Sequence, residues 1–188
     1  MTTVSDDELM AMFRAKDADA FSVLFARHHV SVYNFARSIL GDSHTAEEVM
    51  QDTFLTVART AEVYAPMGRF RAWVLKITRN KCLNRLESER ALRRESIDEG
   101  GGGREPAAPG PSADEEAAQA DRAQAIQRAL AELPERQREV MTLYGFEQMR
   151  YREIAQVLDM PINTVKTLIH RARATLATRL DALRKESQ

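Results

Sequence analysis

Between Glu95 and Gln119 the chain reads ESIDEGGGGREPAAPGPSADEEAAQ, and no other stretch limits its possible folds so strongly. Four consecutive glycines, prolines at 106, 109 and 111, and almost no large apolar side chains leave too little surface to bury to offset the entropy of ordering. A flexible tether is therefore predicted at 95–119. It divides the 188 residues into two small units, expected at 1–94 and 120–188. The tether is acidic as well, with Arg104 alone against Glu95, Asp98, Glu99, Glu105, Asp114, Glu115 and Glu116. Such a segment avoids DNA; it suits a basic channel in a protein partner, and equally suits a plain solvated spacer.

Helical periodicity dominates both sides of the tether, so the fold class expected is all-α. Ser5 to Glu8 has the form of a capping box and starts a short first helix. After Asp17 and Asp19, Phe21, Leu24, Phe25, His28, Val32, Phe35, Ala36 and Ile39 recur at helical spacing up to Gly41, the expected stop. His28 lies on the apolar stripe, where a core histidine with a hydrogen-bond partner is expected. Thr45 to Glu48 has the form of a second capping box. It is followed by an inward face of Ala46, Val49, Thr53, Phe54 and Val57 and an outward acidic one. The helix dipole accounts for acids in a first turn, but Gln51 and Asp52 lie beyond it.

The stretch TAEVYAPMGR, 60–69, loses periodicity and reads as a loop carrying Tyr64. The next helix, FRAWVLKITRNKCLNRLESER, buries Phe70, Trp73, Val74 and Ile77 and places Arg71, Lys76 and Arg79 across from them, with Asn80 and Asn84 flanking. An aromatic loop beside a basic, Asn-bearing helix is equipment for holding unstacked bases.

Beyond the tether, an Ala-rich helix is expected from about Ala120 through Ile126 and Leu130. A second runs over PERQREVMTLYGF, with Pro134 at its first position, Val140, Leu143 and Tyr144 facing inward, and Gly145 ending it. Then Tyr151 to Arg173 reads as a helix-turn-helix. Ile154, Ala155 and Leu158 share one face, and Asp159 tolerates the left-handed turn. Pro161 opens the second helix, whose stripe is Val165, Leu168, Ile169, Ala172 and Leu176. Asn163, Lys166, Thr167, His170, Arg171 and Ala174 are left outside, mostly donors suited to phosphates and base edges.

The net charge of −1 conceals segregation. Residues 1–68 are acidic. From Arg69 to Arg94 the chain carries Arg69, Arg71, Lys76, Arg79, Lys81, Arg85, Arg90, Arg93 and Arg94 against Glu87 and Glu89, and a second basic stretch lies between Lys166 and Lys185. Two basic stretches suggest two contacts with one polyanion. The single cysteine, Cys82, permits no internal disulfide or cysteine-based zinc site, and His28, His29, His44 and His170 lack metal-motif spacing. No metal, cofactor or catalytic set is expected, so an enzyme is not. No apolar run reaches the roughly 18 residues of a membrane span, and the acidic start is unlike a secretory signal, so the cytoplasm is the expected compartment.

Taken together, ALAELPERQREVMTLYGFEQMRYREIAQVLDMPINTVKTLIHRARATL, and AEEVMQDTFL followed by FRAWVLKITRN, resemble the fourth and second regions of bacterial RNA polymerase sigma factors of the extracytoplasmic-function group. The resemblance covers nearly the whole chain. It implies binding to core RNA polymerase, promoter recognition and melting, and restraint by an anti-sigma factor. It places polymerase docking on Glu48, Gln51 and Asp52. Minus-10 contacts fall on the loop 61–69, with Tyr64 and Arg69, and on Lys76, Arg79, Asn80 and Asn84. Minus-35 contacts fall on Thr164, Lys166, Thr167, His170, Arg171 and Arg173. Leu168 stands where many relatives carry Arg, Asp159 and Asn163 where Gly is frequent, and Arg150 where Ser is common, which bears on promoter sequence rather than role. The alternatives are a stand-alone helix-turn-helix regulator, which leaves the first basic helix unexplained, and a helical adaptor that binds only proteins.

Overall fold

The computed structural model describes residues 4–95 and 129–186, with side chains described for 4–92 and 129–179. All regular structure among the described residues is helical. The expected tether, and the Ala-rich helix through Ile126, lie largely outside them. The chain divides into two compact units near residue 104.

In the N-terminal unit, α1 (Asp6–Arg14) starts from a complete capping box: the Glu8 amide donates to Ser5 Oγ, and the Ser5 amide donates to the Glu8 carboxylate at 2.8 Å. Asp17 then caps α2 (Ala18–Leu40), accepting from the amides of Asp19 and Ala20. Gly41 closes that helix with φ 75°, the left-handed conformation in which a Cβ is strained. The next helix, α3 (Ser43–Arg59), begins earlier than Thr45. Its cap is Asp42, whose carboxylate accepts from the Thr45 amide at 2.7 Å and from the Thr45 hydroxyl. A carboxylate at N-cap outcompetes a β-branched hydroxyl three residues on, so Glu47 and Glu48 fall in the second turn, further from the dipole's help.

A 3-10 turn (Ala61–Val63) leads through an irregular segment to α4 (Phe70–Glu95). This helix packs against both α2 and α3, so its buried arc is wider than a single stripe. Phe70, Ala72, Val74, Leu75, Thr78, Arg79 and Cys82 are all buried, while Trp73 and Ile77 are half-buried. Leu24, Val32, Phe35, Ala46, Phe54 and Val57 complete the core, and His28 is inside it, with Nε2 2.8 Å from Asp6.

In the C-terminal unit, Pro134 is the residue before α5 (Glu135–Met141), not its first member. Its carbonyl accepts from the amides of Gln137 and Arg138. The Arg138 guanidinium reaches back to the carbonyls of Leu130, Ala131 and Leu133 at the end of the preceding helical turn. A π turn (Thr142–Phe146) follows, with Gly145 inside it rather than at its end. The chain reverses at Gln148, φ 51°.

Helix α6 (Tyr151–Val157) takes its first bonds from the Arg150 carbonyl, and Glu153 reaches back to the Arg150 amide at 2.7 Å. This is the acidic half of a capping box, Arg150 lacking the hydroxyl that would supply the other. Asp159 makes the turn with φ 48°, as its tolerance of the left-handed region predicts. Pro161 precedes α7 (Ile162–Glu186), its carbonyl accepting from Thr164 and Val165. Val165, Ile169 and Ala172 are buried, Leu168 and Leu176 half-buried, and Ala172 joins Leu130 and Leu133 in a small core flanked by Met141 and Leu176.

Candidate nucleic-acid interface

On α7 the buried stripe fixes what faces outward. Asn163, Thr164, Lys166, Thr167, His170, Arg171, Arg173 and Ala174 are all exposed, so every expected minus-35 residue lies on the solvent side of one helix. Thr167 Oγ1 donates to the Asn163 carbonyl, which holds that hydroxyl against the backbone. Arg173 differs from its neighbours. Its guanidinium carbon lies 4.8 Å from the centre of the Tyr144 ring, and its Nη2 donates to the Tyr144 hydroxyl at 2.8 Å. Tyr144 is itself against Tyr151, ring centres 5.5 Å apart, so the π turn and α6 together orient that arginine.

In the N-terminal unit, Glu48, Gln51 and Asp52 are exposed on α3, as expected. They share an open polar groove with Lys81, Asn84, Arg85 and Ser88 of α4. Glu48 pairs with Arg85 at 3.2 Å. Asn84, expected to meet DNA, thus lies beside the acidic residues expected to meet polymerase. The groove is a product of α3 packing on α4, and no local spacing announces Lys81 or Arg85 as its members.

The expected minus-10 set is split. Arg69, Asn80 and Asn84 are exposed and Lys76 is half-buried, but Tyr64 and Arg79 are corrected to the interior, at 5% and 6% exposure. Arg79 is buried because α4 has two packing partners rather than one. Tyr64 cannot stack on a base from where it sits: its ring lies 4.8 Å from Trp73 and 5.8 Å from Phe70, and its hydroxyl donates to Asp7 at 2.5 Å. Burial, then the bond to Asp7, pushes the phenol well above the ordinary tyrosine range. What the loop exposes instead is aliphatic, Val63 at 79% and Met67 at 66%.

The neighbouring acid of α1 is tied elsewhere. Asp6 pairs with Arg27 and His28. Burial acts to raise its carboxyl, but the hydrogen bond and charge of His28, and then those of Arg27, hold it below the usual value. Among the described residues no cluster suited to a metal ion is present, and no helix is long and apolar enough to cross a membrane.

Residues 24–92 match the family model for Sigma-70 region 2, and residues 123–176 match that for Sigma-70, region 4. An all-helical chain carrying those regions in that order is a transcription initiation factor of the sigma-70 class. It is 34% identical over 183 residues to the ECF RNA polymerase sigma factor SigM of Mycobacterium tuberculosis (strain ATCC 25618 / H37Rv), spanning 95% of this chain and 86% of the relative. The chain belongs to the extracytoplasmic-function (ECF) family of RNA polymerase sigma factors. ECF sigma factor SigW of Bacillus subtilis (strain 168) is 25% identical over 171 residues, 87% of this chain and 90% of SigW. Among solved structures, CnrH in complex with the cytosolic domain of CnrY superposes with a TM-score of 0.70 at 30% identity, over 95% of this chain and 99% of CnrH. RpoE of Bartonella quintana, in complex with the anti-sigma factor NepR, shares the fold, with a TM-score of 0.69 at 23% identity over 86% and 96% of the two chains. As a sigma factor, the protein binds core RNA polymerase, directs it to promoters and helps open them.

Proposed function

We propose a division of this task among three surfaces. Glu48, Gln51 and Asp52 of α3 dock on core polymerase. The loop 61–69 with Arg69, Lys76, Asn80 and Asn84 meets the minus-10 element, Tyr64 and Arg79 supporting it from within. The outer face of α7, from Thr164 through Lys166, Thr167, His170 and Arg171 to Arg173, reads the minus-35 element. Residues 1–94 and 120–188 form the two working domains, and 95–119 the acidic connection between them. The observation that carries this reading is the outward face of α7, where the expected donors fall together on the side opposite the buried stripe. A stand-alone regulator would use the same helix but gives no role to the acidic face of α3.

The protein works in the cytoplasm, adds no catalysis of its own, and is restrained by an anti-sigma factor. The similarity to CnrH, solved with the cytosolic domain of CnrY, supports that last partner. The deciding measurement is co-elution of the purified chain with bacterial core RNA polymerase, followed by run-off transcription from a pool of duplexes randomised across both promoter blocks. A stoichiometric complex that enriches one pair of blocks is expected. A chain that elutes alone yet retains duplexes would favour the stand-alone regulator.

A further inference from the structure

The first turn of α1 holds two adjacent carboxylates that point to different parts of the unit. Asp6 faces Arg27 and His28 on α2, whereas Asp7 faces the loop. One Asp7 oxygen accepts from the Tyr64 hydroxyl at 2.5 Å; the other accepts from the Gly68 amide at 2.7 Å. Those two donors bracket Ala65, Pro66 and Met67, all exposed. Gly68 has φ 64°, so the chain turns sharply at the second attachment point. A single carboxylate, distant in sequence, therefore closes a three-residue protruding tip at both ends.

We propose that Asp7 is a positioning residue for promoter opening, holding the 65–67 tip in the shape that receives an unpaired minus-10 base. The inference rests on the reading of loop 61–69 as a minus-10 surface. A loop ordered before the base arrives spares the complex the entropy of ordering it during capture. The rigidity comes from where the attachments lie. The Tyr64 hydroxyl hangs from a ring wedged between Phe70 and Trp73, and Asp7 sits in a helix that the Ser5–Glu8 capping box and the Asp6 contacts hold in place. Loss of the carboxylate leaves Gly68 to water and Tyr64 without its partner, while the α3 surface is untouched.

The test uses holoenzyme made from the full chain and core polymerase. The probe is a duplex selected by the parent holoenzyme from the randomised pool and carrying 2-aminopurine within the minus-10 block. Asp7→Ala should form holoenzyme and bind the closed duplex as the parent does, yet open it about tenfold less well. Asp7→Asn still offers an acceptor to the Gly68 amide and should recover part of the loss, which general destabilisation would not predict. Met67→Ala, which alters the tip and leaves the latch, separates the two readings. A defect in Met67→Ala with normal opening by Asp7→Ala overturns the latch and keeps the loop; normal opening by both removes the loop reading and the latch with it. Where Asp7→Ala lowers the unfolding midpoint of the N-terminal unit, Tyr64→Phe decides instead, since it keeps the ring and removes one attachment. Normal opening by that variant overturns the proposal, and reduced opening with an unchanged midpoint supports it.

Discussion

The two units expose their candidate functional residues by different means. On α7 the outward set is a consequence of one helix burying one stripe: once Val165, Ile169 and Ala172 are inside, Lys166, His170 and Arg171 are outside. In the N-terminal unit the corresponding surfaces depend on tertiary contacts. The polar groove exists because α3 lies on α4, and the loop has its shape because Asp7 reaches it from α1. A surface set by secondary structure tolerates change in its neighbours, whereas one set by packing inherits every fault in the packing.

The largest effect should come from the groove. Asp52→Arg puts a like charge where a basic partner surface is expected, a juxtaposition worth several kcal/mol, and co-elution with core polymerase should be lost. The isolated helical content should remain, because Asp52 is exposed. Retained co-elution would place docking elsewhere and break the contrast between the units at its strongest point.

Next is the core beneath α7. Leu133→Ala removes one of the buried side chains that hold Ala172, and a loss of about 2–5 kcal/mol is expected from the C-terminal unit. Denaturant unfolding followed on that unit should show it; an unchanged midpoint would mean that α7 stands without this core. A smaller change is expected from Lys166→Ala. It should weaken promoter binding across sequences and reduce the slope of log affinity against log salt by about one unit. An unaltered slope removes Lys166 from the phosphate contacts.

The smallest effect concerns acid. The folded-state carboxyl of Asp6 is held below its usual value, so the native state binds fewer protons there than the unfolded chain. Its stabilisation is present above the ordinary carboxylate range near pH 4 and is lost as pH falls through the folded value. Asp6→Asn should therefore be less stable than the parent at neutral pH, the gap narrowing as pH drops below about 4. A gap that does not depend on pH would assign the loss to packing rather than to charge.

Legibility followed the same divide. Stripe, turn and outward face of the helix-turn-helix were readable because each is fixed by neighbours within a few residues, down to the left-handed Asp159. The Ser5–Glu8 cap and the stop at Gly41 were readable on similar terms, and His28 as a core histidine was readable from its place on the apolar stripe, though not its partner, Asp6, 22 residues away. Cap identities failed by small steps where two candidates competed, as when Asp42 took the place of Thr45, or where proline served just before a helix rather than at its start. Tyr64 failed for a different reason. A lone aromatic in an aperiodic segment looks exposed, and what buries it, the Phe70 and Trp73 rings and an acid 57 residues away, has no local trace. Arg79 was misplaced because periodicity predicts one buried stripe, and α4 has two partners.

The docked first turn also bears on how this protein is handled. Arg27 donates to the Val4 carbonyl from both terminal nitrogens at 3.1 Å, so backbone is already anchored two residues before α1 begins. A purification tag fused ahead of that point feeds straight into the turn that carries Asp6 and Asp7. A tag placed there should be cleaved before promoter opening is compared between preparations, because Asp7 in that same turn accepts from both Tyr64 and Gly68 of the loop.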